Sequence, residues 1–376
     1  MNTQHARNLA LATFVAAIAL CGAFSTGCDK QPTFHNEALC GDPDAAVDTQ
    51  PIDAAPDMAP VDMAPPDMPI DMPPPDAWVC NPLPPSVFVD PAGQHPNVTI
   101  DKPTTYSCAD APRPLLIFLH SYGSDTGNGA KIRMGFRYTA KPHGDALILA
   151  PLGLIEPGTT AVRYWNADPS SSDKMLVGND DVAYLRAMIQ WAFDNYTIDR
   201  SRVMVLGSSN GGFMAERLRC EVSDLVTHMV DASGAGQTPT IVCPAGALPV
   251  HAIIDHSQQD GGVKYDGGDH FGGMTVDYIG TIETIAQNAA QSGCVDLQLT
   301  QALAYDHDFD TAGNDTDLME HTTCTGAVVQ HWRRPIGPHT FTGTFVDGCT
   351  TQTCNVPLQT KFAVDVWAFL QAHPRP

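Results

Sequence analysis

The sequence predicts an α/β domain, a mainly parallel sheet covered by helices on both faces, and three observations carry that expectation. Short continuous apolar runs, Leu115 to Leu119, Ala146 to Ala150, Val203 to Leu206 and Pro249 to Ile254, have the length and composition of strands buried on both faces. A segment of helical period, Asp180 to about Asn195, lies between the second and third runs. The pentapeptide Gly207-Ser208-Ser209-Asn210-Gly211 joins the third run directly to another helix-like segment. Strands alternating with helices imply a parallel sheet, because parallel neighbours need a crossover connection.

Each element has a local cause. Asn179 can cap the first helix, Asp180 and Asp181 favour its positive end, and Val182, Leu185, Met188, Ile189 and Ala192 form one apolar stripe. The segment from Gly212 to Cys220 supplies a helix whose N-terminus points at Ser209. Val328 to Ile336 reads as a further strand. Phe362 to Ala372 reads as the last helix, with Phe362, Val366, Phe369 and Leu370 on one side and a stop before Pro374.

The chain of 376 residues divides by composition. Residues 1–28 read as an export signal, with Arg7 in a polar start, an apolar run from Leu9 to Leu20 that is too short for a confident membrane span, and Ser25-Thr26-Gly27-Cys28 resembling a lipoprotein processing site. Cys28 is therefore the candidate lipid anchor, and ordinary cleavage with release is the alternative. Residues 29–79 hold an imperfect repeat of Pro, Asp and Met, in which proline blocks helix and sheet and the carboxylates repel one another, so the segment reads as an extended acidic tether. Residues 80–376 remain for one large folded domain.

The formal charge is −22. Such a surface repels phosphate backbones and excludes nucleic acid as a natural partner. The eleven cysteines suit an exported protein with disulfides. Cys80, Cys108, Cys220, Cys243, Cys294, Cys324, Cys349 and Cys354 lie in or at the edge of the folded part, and order along the chain suggests pairing them consecutively. No closely spaced Cys/His set points to zinc. Asp306, Asp308, Asp310, Asn314, Asp315 and Asp317 have the oxygen-rich spacing of a calcium loop, but Thr311 stands at the turn position and no Glu closes it, so a solvated acidic loop is the expectation.

A strand, a sharp turn with serine at its tip and then a helix form a nucleophile elbow. Gly207 and Gly211 flank Ser209 by two positions on each side and allow the tight turn. A serine hydroxyl needs a histidine base, and the histidine needs an acid to fix its tautomer. Asp260, on a Gly-rich turn beyond the strand that ends near Ile254, is the candidate acid, with Asp255, Asp266 and Asp269 as rivals. His339, in the loop Gly337-Pro338-His339-Thr340, is the candidate base, against His307, His321 and His331; His256 and His270 break the expected order. The oxyanion of a tetrahedral intermediate also needs donors, for which the backbone N–H groups of Asn210 and Tyr122 are the candidates.

Leu119-His120-Ser121-Tyr122-Gly123, Tyr164-Trp165-Asn166, Asp180 to Leu185, Arg202-Val203 leading to Gly207 to Gly212, Asp260 to Gly268, and Trp367 to Pro374 together resemble the secreted polyhydroxybutyrate depolymerase and feruloyl or acetylxylan esterase family of α/β-hydrolases. The likeness covers about residues 80–376. It implies an α/β-hydrolase fold, Ser209 as nucleophile, Asp260 as acid, His339 as base, Trp165 near the acyl pocket, and the cysteine pairs 220 with 243 and 294 with 324. Ser121 stands where the family usually has glycine, and the residues after His339 lack the tryptophan and proline often found there. The resemblance thus implies a serine esterase that acts on a polyester or an esterified polysaccharide; with the N-terminal signal, the expectation is an exported enzyme, a monomer, that needs no cofactor or metal. A non-catalytic binding lipoprotein on the same fold is the alternative of another class.

Overall fold

The computed structural model describes residues 84–123, 145–167, 180–236, 243–271, 274–305, 315–337, 339 and 361–375. All belong to one compact unit, Asp71–Pro376. The expected signal, the tether, Cys28, Cys80, Cys349 and Cys354 lie outside the described residues.

Among the described residues the main sheet has eight strands, numbered here in chain order: β1 (Arg113–Leu119), β2 (Leu147–Leu149), β3 (Ile198–Ser208), β4 (His228–Ala232), β5 (His251–Ser257), β6 (Val295–Tyr305), β7 (Thr316–Thr323) and β8 (Val329–Arg334). Their spatial order is β6-β7-β8-β5-β4-β3-β1-β2. From β8 to β2 every neighbour pairs in parallel, while β6, β7 and β8 form an antiparallel extension. Among the described residues, four helices accompany the sheet: α1 (Asp181–Asn195), α2 (Asn210–Glu221), α3 (Thr281–Gln291) and α4 (Lys361–Ala372). A mostly parallel sheet with the serine turn between β3 and α2 is the α/β-hydrolase fold.

Residues of β1 alternate between two buried layers, as the period of two requires. Leu115, Ile117 and Leu119 pack with Leu185, Ile189, Met214 and Leu218 of α1 and α2. Leu116 and Phe118 pack with Phe362, Val366, Phe369 and Leu370 of α4. Burying a side chain of this size contributes about 1.5–3 kcal/mol. Both faces are covered, so the strands read as unbroken apolar runs.

The observed elements are longer than their apolar cores. β3 begins at Ile198 and runs through Asp199, Arg200 and Ser201, where Asp199 accepts from Ser201 and Arg202. The cap of α1 is Asp180, whose carboxylate accepts from the Ala183 amide at 2.9 Å. Two disulfides match the expected pairs, Cys220–Cys243 and Cys294–Cys324. Cys108 is disulfide-bonded. Among the described residues no helix is long and apolar enough to cross a membrane, and no group of three or more His, Cys, Asp or Glu could hold a metal ion. Of the acidic loop, Asp317 is engaged by the Leu303 amide and by Arg333, while Asp306, Asp308, Asp310 and Asn314 lie outside the described residues.

An ion cluster fixes the N-terminal segment to α1. His95 places Nδ1 3.0 Å from Asp90 and Nε2 2.6 Å from Asp181, and its ring stacks on Tyr184 at 3.7 Å. Two carboxylates can only accept, so both ring nitrogens donate and the imidazole is charged. Burial alone would lower the His95 pKa, but bonds and charge from Asp181 and Asp90 outweigh it and raise the value above 6.5. Burial likewise opposes ionisation of Asp90, yet its bonds to His95, Ala92 and Gln94 lower its pKa from 3.8 to about 2. The histidine's contribution is complete below 6.5 and is lost as pH rises through its raised value. The Asp90 contribution is complete above 3.8 and is lost as pH falls through about 2. The clamp is therefore strongest between these limits. The melting-temperature difference between the native protein and His95→Phe should be largest near pH ~5–6 and should shrink by pH ~9; a difference constant over that range would rule out a charged histidine here.

Candidate active site

Ser209 occupies a backbone conformation that only a forced turn supports, φ 56° and ψ −120°. Its cause lies in the flanking glycines. A β-carbon on Gly207 would collide with the carbonyl of Gly211, and one on Gly211 would collide with the carbonyls of Leu119 and His120. The turn is held by the Ser209 amide donating to Ala232 O at 2.8 Å and by the Gly212 amide donating to Ser209 O at 2.7 Å.

Ser209 Oγ lies 2.9 Å from His339 Nε2, and His339 Nδ1 lies 2.8 Å from Asp260 Oδ2. The carboxylate can only accept, so Nδ1 carries the proton and Nε2 presents a lone pair to the serine hydroxyl. This is the tautomer a general base needs. Asp260 is fully buried, whereas the His339 side chain is 28% exposed. Burial would push the Asp260 carboxyl up, but bonds from His256 and His339 hold it well below the usual carboxylate range. The amides of Gly262 and Val263 also donate to its Oδ1, at 2.8 and 2.9 Å. The acid is thus ionised and immobile.

The competing residues have other partners. Asp255 pairs with Arg334 at 2.9 Å inside the sheet edge. His331 donates from Nδ1 to Ile254 O at 2.8 Å and accepts from the Tyr265 hydroxyl at 2.9 Å; burial lowers its pKa to about 3. His321 contacts Val295 O. The side chains of Asp269 and His270, and all of His307, lie outside what the structure describes.

The loop after β1 abuts the elbow through the Gly211 contacts. Its conformation is fixed at several points. His120 Nδ1 donates to Ser121 O at 2.8 Å, and its Nε2 accepts from the Gly153 amide at 2.9 Å. The Gly123 amide donates to Arg163 O at 2.8 Å. Ser121, where glycine was the family expectation, donates to Ser208 Oγ at 3.2 Å. Tyr122 OH donates to Glu156 at 2.5 Å, and burial together with that carboxylate raises the phenol to about 12. Neither the Tyr122 amide nor the Asn210 amide meets a protein acceptor among the described residues.

Trp165 is 1% exposed. Its indole N–H donates to His120 O at 3.0 Å, and its backbone is gripped by Asn210, which accepts from Trp165 N at 2.7 Å and donates to Trp165 O at 3.1 Å. The indole therefore bears on the loop from beneath. Two contributors escaped the sequence reading. Gly262 makes room for the His339 ring, since a β-carbon there would overlap the imidazole. His256 reaches the same carboxylate oxygen as His339, at 3.2 Å. Its place in the chain gave it away only as a poor base.

No family model matches the chain. It is 31% identical over 144 residues to the "Putative esterase NocK" of Nocardia uniformis subsp. tsuyamanensis, which is 38% of this chain and 39% of that relative's length. Among solved structures it is similar to a thermostable esterase (TM-score 0.36, 20% identity, 46% of each chain). It is also similar to an acetyl xylan esterase from Aspergillus awamori (TM-score 0.46, 16% identity, 68% of this chain and 94% of that one).

The Gly262 contact generates a test. Gly262→Ala should displace the imidazole and lower kcat about 10-fold or more while the melting temperature changes little. Steady-state kinetics beside a thermal melt would check it, and an unchanged kcat would free His339 from this constraint.

Proposed function

We propose that the chain is a serine carboxylic-ester hydrolase working through an acyl-enzyme. The observation that carries this reading is the unbroken hydrogen-bonded line from Ser209 through His339 to a buried, ionised Asp260. In the proposed cycle His339 Nε2 takes the hydroxyl proton as Ser209 Oγ attacks the ester carbonyl, and the imidazolium so formed is stabilised by Asp260. The Asn210 and Tyr122 amides donate to the oxyanion, the first at the start of α2, where the helix dipole adds to the effect. His339 then returns the proton to the leaving alcohol. Water, deprotonated by the same nitrogen, releases the acid and restores the serine.

Trp165 acts on this site through the loop backbone: its indole bond to His120 O fixes where the Tyr122 amide points. The finer reading is a polyester substrate such as polyhydroxybutyrate or its oligomers, supported by the ordered motif resemblance; a feruloyl or acetyl ester on plant polysaccharide is the alternative. Disulfides suit an oxidising compartment and support export, with Cys28 as the proposed lipid anchor, the acidic Pro-rich segment as a spacer, and no partner beyond the ester and the anchoring membrane.

Hydrolysis of a short p-nitrophenyl ester should be readily measured for the native protein and should fall by about 10⁴-fold or more in Ser209→Ala, with melting temperature nearly unchanged. A fluorophosphonate should label Ser209 of the native protein. Absence of both turnover and labelling would favour a binding module on a hydrolase fold. Product release from polyhydroxybutyrate, methyl ferulate and acetylated xylan, compared side by side, decides the acyl class.

A further inference from the structure

Asp260 carries two histidines on one oxygen. Its Oδ1 accepts from the Gly262 and Val263 amides, its Oδ2 accepts from His339 at 2.8 Å, and His256 Nε2, whose N–H is shared with Val263 O, stands 3.2 Å from the same Oδ2. These four groups surround the carboxylate, three by direct hydrogen bonds and His256 by a close N–H···O approach. Three of them come from the acid turn itself or from the base. The fourth comes from β5, the most rigid neighbour available.

The tautomer of His256 follows from its partners. Nε2 faces two acceptors, Val263 O at 2.9 Å and Asp260 Oδ2, so it bears the proton. Nδ1, 2.8 Å from Thr281 Oγ1, accepts from that hydroxyl. Thr281 stands at the start of α3, so three elements meet at this ring: β5, the acid turn and α3. The side chains of His256 and Asp260 are both fully buried, which leaves no water to replace the donor. The groups facing His256 are Asp260, with His339 beyond it, Tyr265 with ring centroids 5.7 Å apart, and His331 on β8 behind Tyr265, beside Arg333.

We propose that His256 is a positioning residue which fixes the Asp260 carboxylate and moderates its pull on His339, an inference that rests on the triad reading of Ser209, His339 and Asp260. A second donor on Oδ2 does two things. It stops the carboxylate from rotating away from His339, and it draws off part of the charge that would otherwise bind the imidazolium alone. Removing it should lower kcat through misorientation and move the acid limb of kcat/KM to higher pH, because the charged imidazole is then held more tightly.

The test compares His256→Leu, which removes the donor, with His256→Gln, whose amide N–H can approach the Nε2 position. Using p-nitrophenyl acetate, His256→Leu should lose about 10- to 100-fold in kcat with KM little changed and its acid limb shifted upward. His256→Gln should recover most of the rate and the native limb. Thr281→Val, which frees the tautomer without touching the carboxylate, should shift both quantities in the same direction by less; it carries the test if His256→Leu does not fold. Native kcat and an unmoved limb in His256→Leu, or equal losses in the Leu and Gln variants at equal melting temperature, would overturn the inference. An inactive native protein would instead overturn the esterase reading, so the two failures are distinguishable.

Discussion

The close approach of backbone to backbone at the serine turn is the constraint on which the rest of the site depends. Gly207 faces the carbonyl of Gly211, and Gly211 faces the carbonyls of Leu119 and His120, with no room for a side chain at either glycine. That contact sets Ser209 at positive φ, starts α2 at the next residue, and brings the loop after β1 against the elbow. A non-glycine residue in such a conformation costs about 1–3 kcal/mol. The cost is met by the parallel pairing of β3 with β1 and β4 on either side, which leaves the turn no lower-energy alternative.

Charge near the elbow is sorted by the same geometry. Asp255 ends inside the β5 register, opposite Trp332 of β8, where it meets the Arg334 guanidinium. Asp260 lies five residues later, beyond the last strand pairing at Ser257, so its turn can supply two amides and admit an imidazole. One carboxylate neutralises a buried cation and the other fixes the His339 imidazole, a division imposed by whether the residue lies in the strand or in the turn beyond it. Behind α2, Glu216 pairs with Arg219 at 3.0 Å and accepts from Asn288, while burial and the Glu216 charge push the neighbouring Asp231 carboxyl well above its usual range.

What the sequence made legible follows from how many faces an element buries. β1, β2, β3 and β5 are covered on both sides and announce themselves as apolar runs. β4 is equally central but reads His-Met-Val-Asp-Ala, because His228 bonds Thr227 and His373 O, and Asp231 bonds Gly234, inside the protein. One partner is a neighbouring hydroxyl, one a nearby amide and one a distant carbonyl, a set that no apolar pattern encodes. β6 and β7 form the antiparallel edge, where Gln, Thr and Glu alternate with apolar residues too weakly to stand out from loop. Ser209 was legible because strain at an elbow demands glycines at fixed offsets. Asp260 and His339 were legible as candidates among rivals, since the turn chemistry of their loops is local while their meeting is not. His256 was legible only as a poor base and Gly262 only as part of a Gly-rich turn: one lies against a carboxylate and the other makes room by lacking a β-carbon.

Asp181 shows how a residue far from the proposed active site can still govern its geometry. One of its oxygens binds His95 of the N-terminal segment, and the other accepts from the Asn166 amide at 2.6 Å. Asn166 follows Trp165, whose backbone is gripped by the Asn210 side chain and whose indole holds the His120 carbonyl. Asn210 is also the residue whose own amide follows Ser209, the proposed nucleophile. A continuous line of short hydrogen bonds thus runs from the start of the domain to both sides of the proposed oxyanion site. Each link has a charged or backbone partner in a fully buried setting, where a hydrogen bond broken without replacement costs about 1–3 kcal/mol. Donors fixed in this way need no reorganisation when charge develops on the substrate oxygen, which is the condition under which such donors accelerate a reaction most. The polar interior on this side of the sheet is therefore scaffold for the proposed site, even where no member of it lies among the Ser209, His339 and Asp260 side chains.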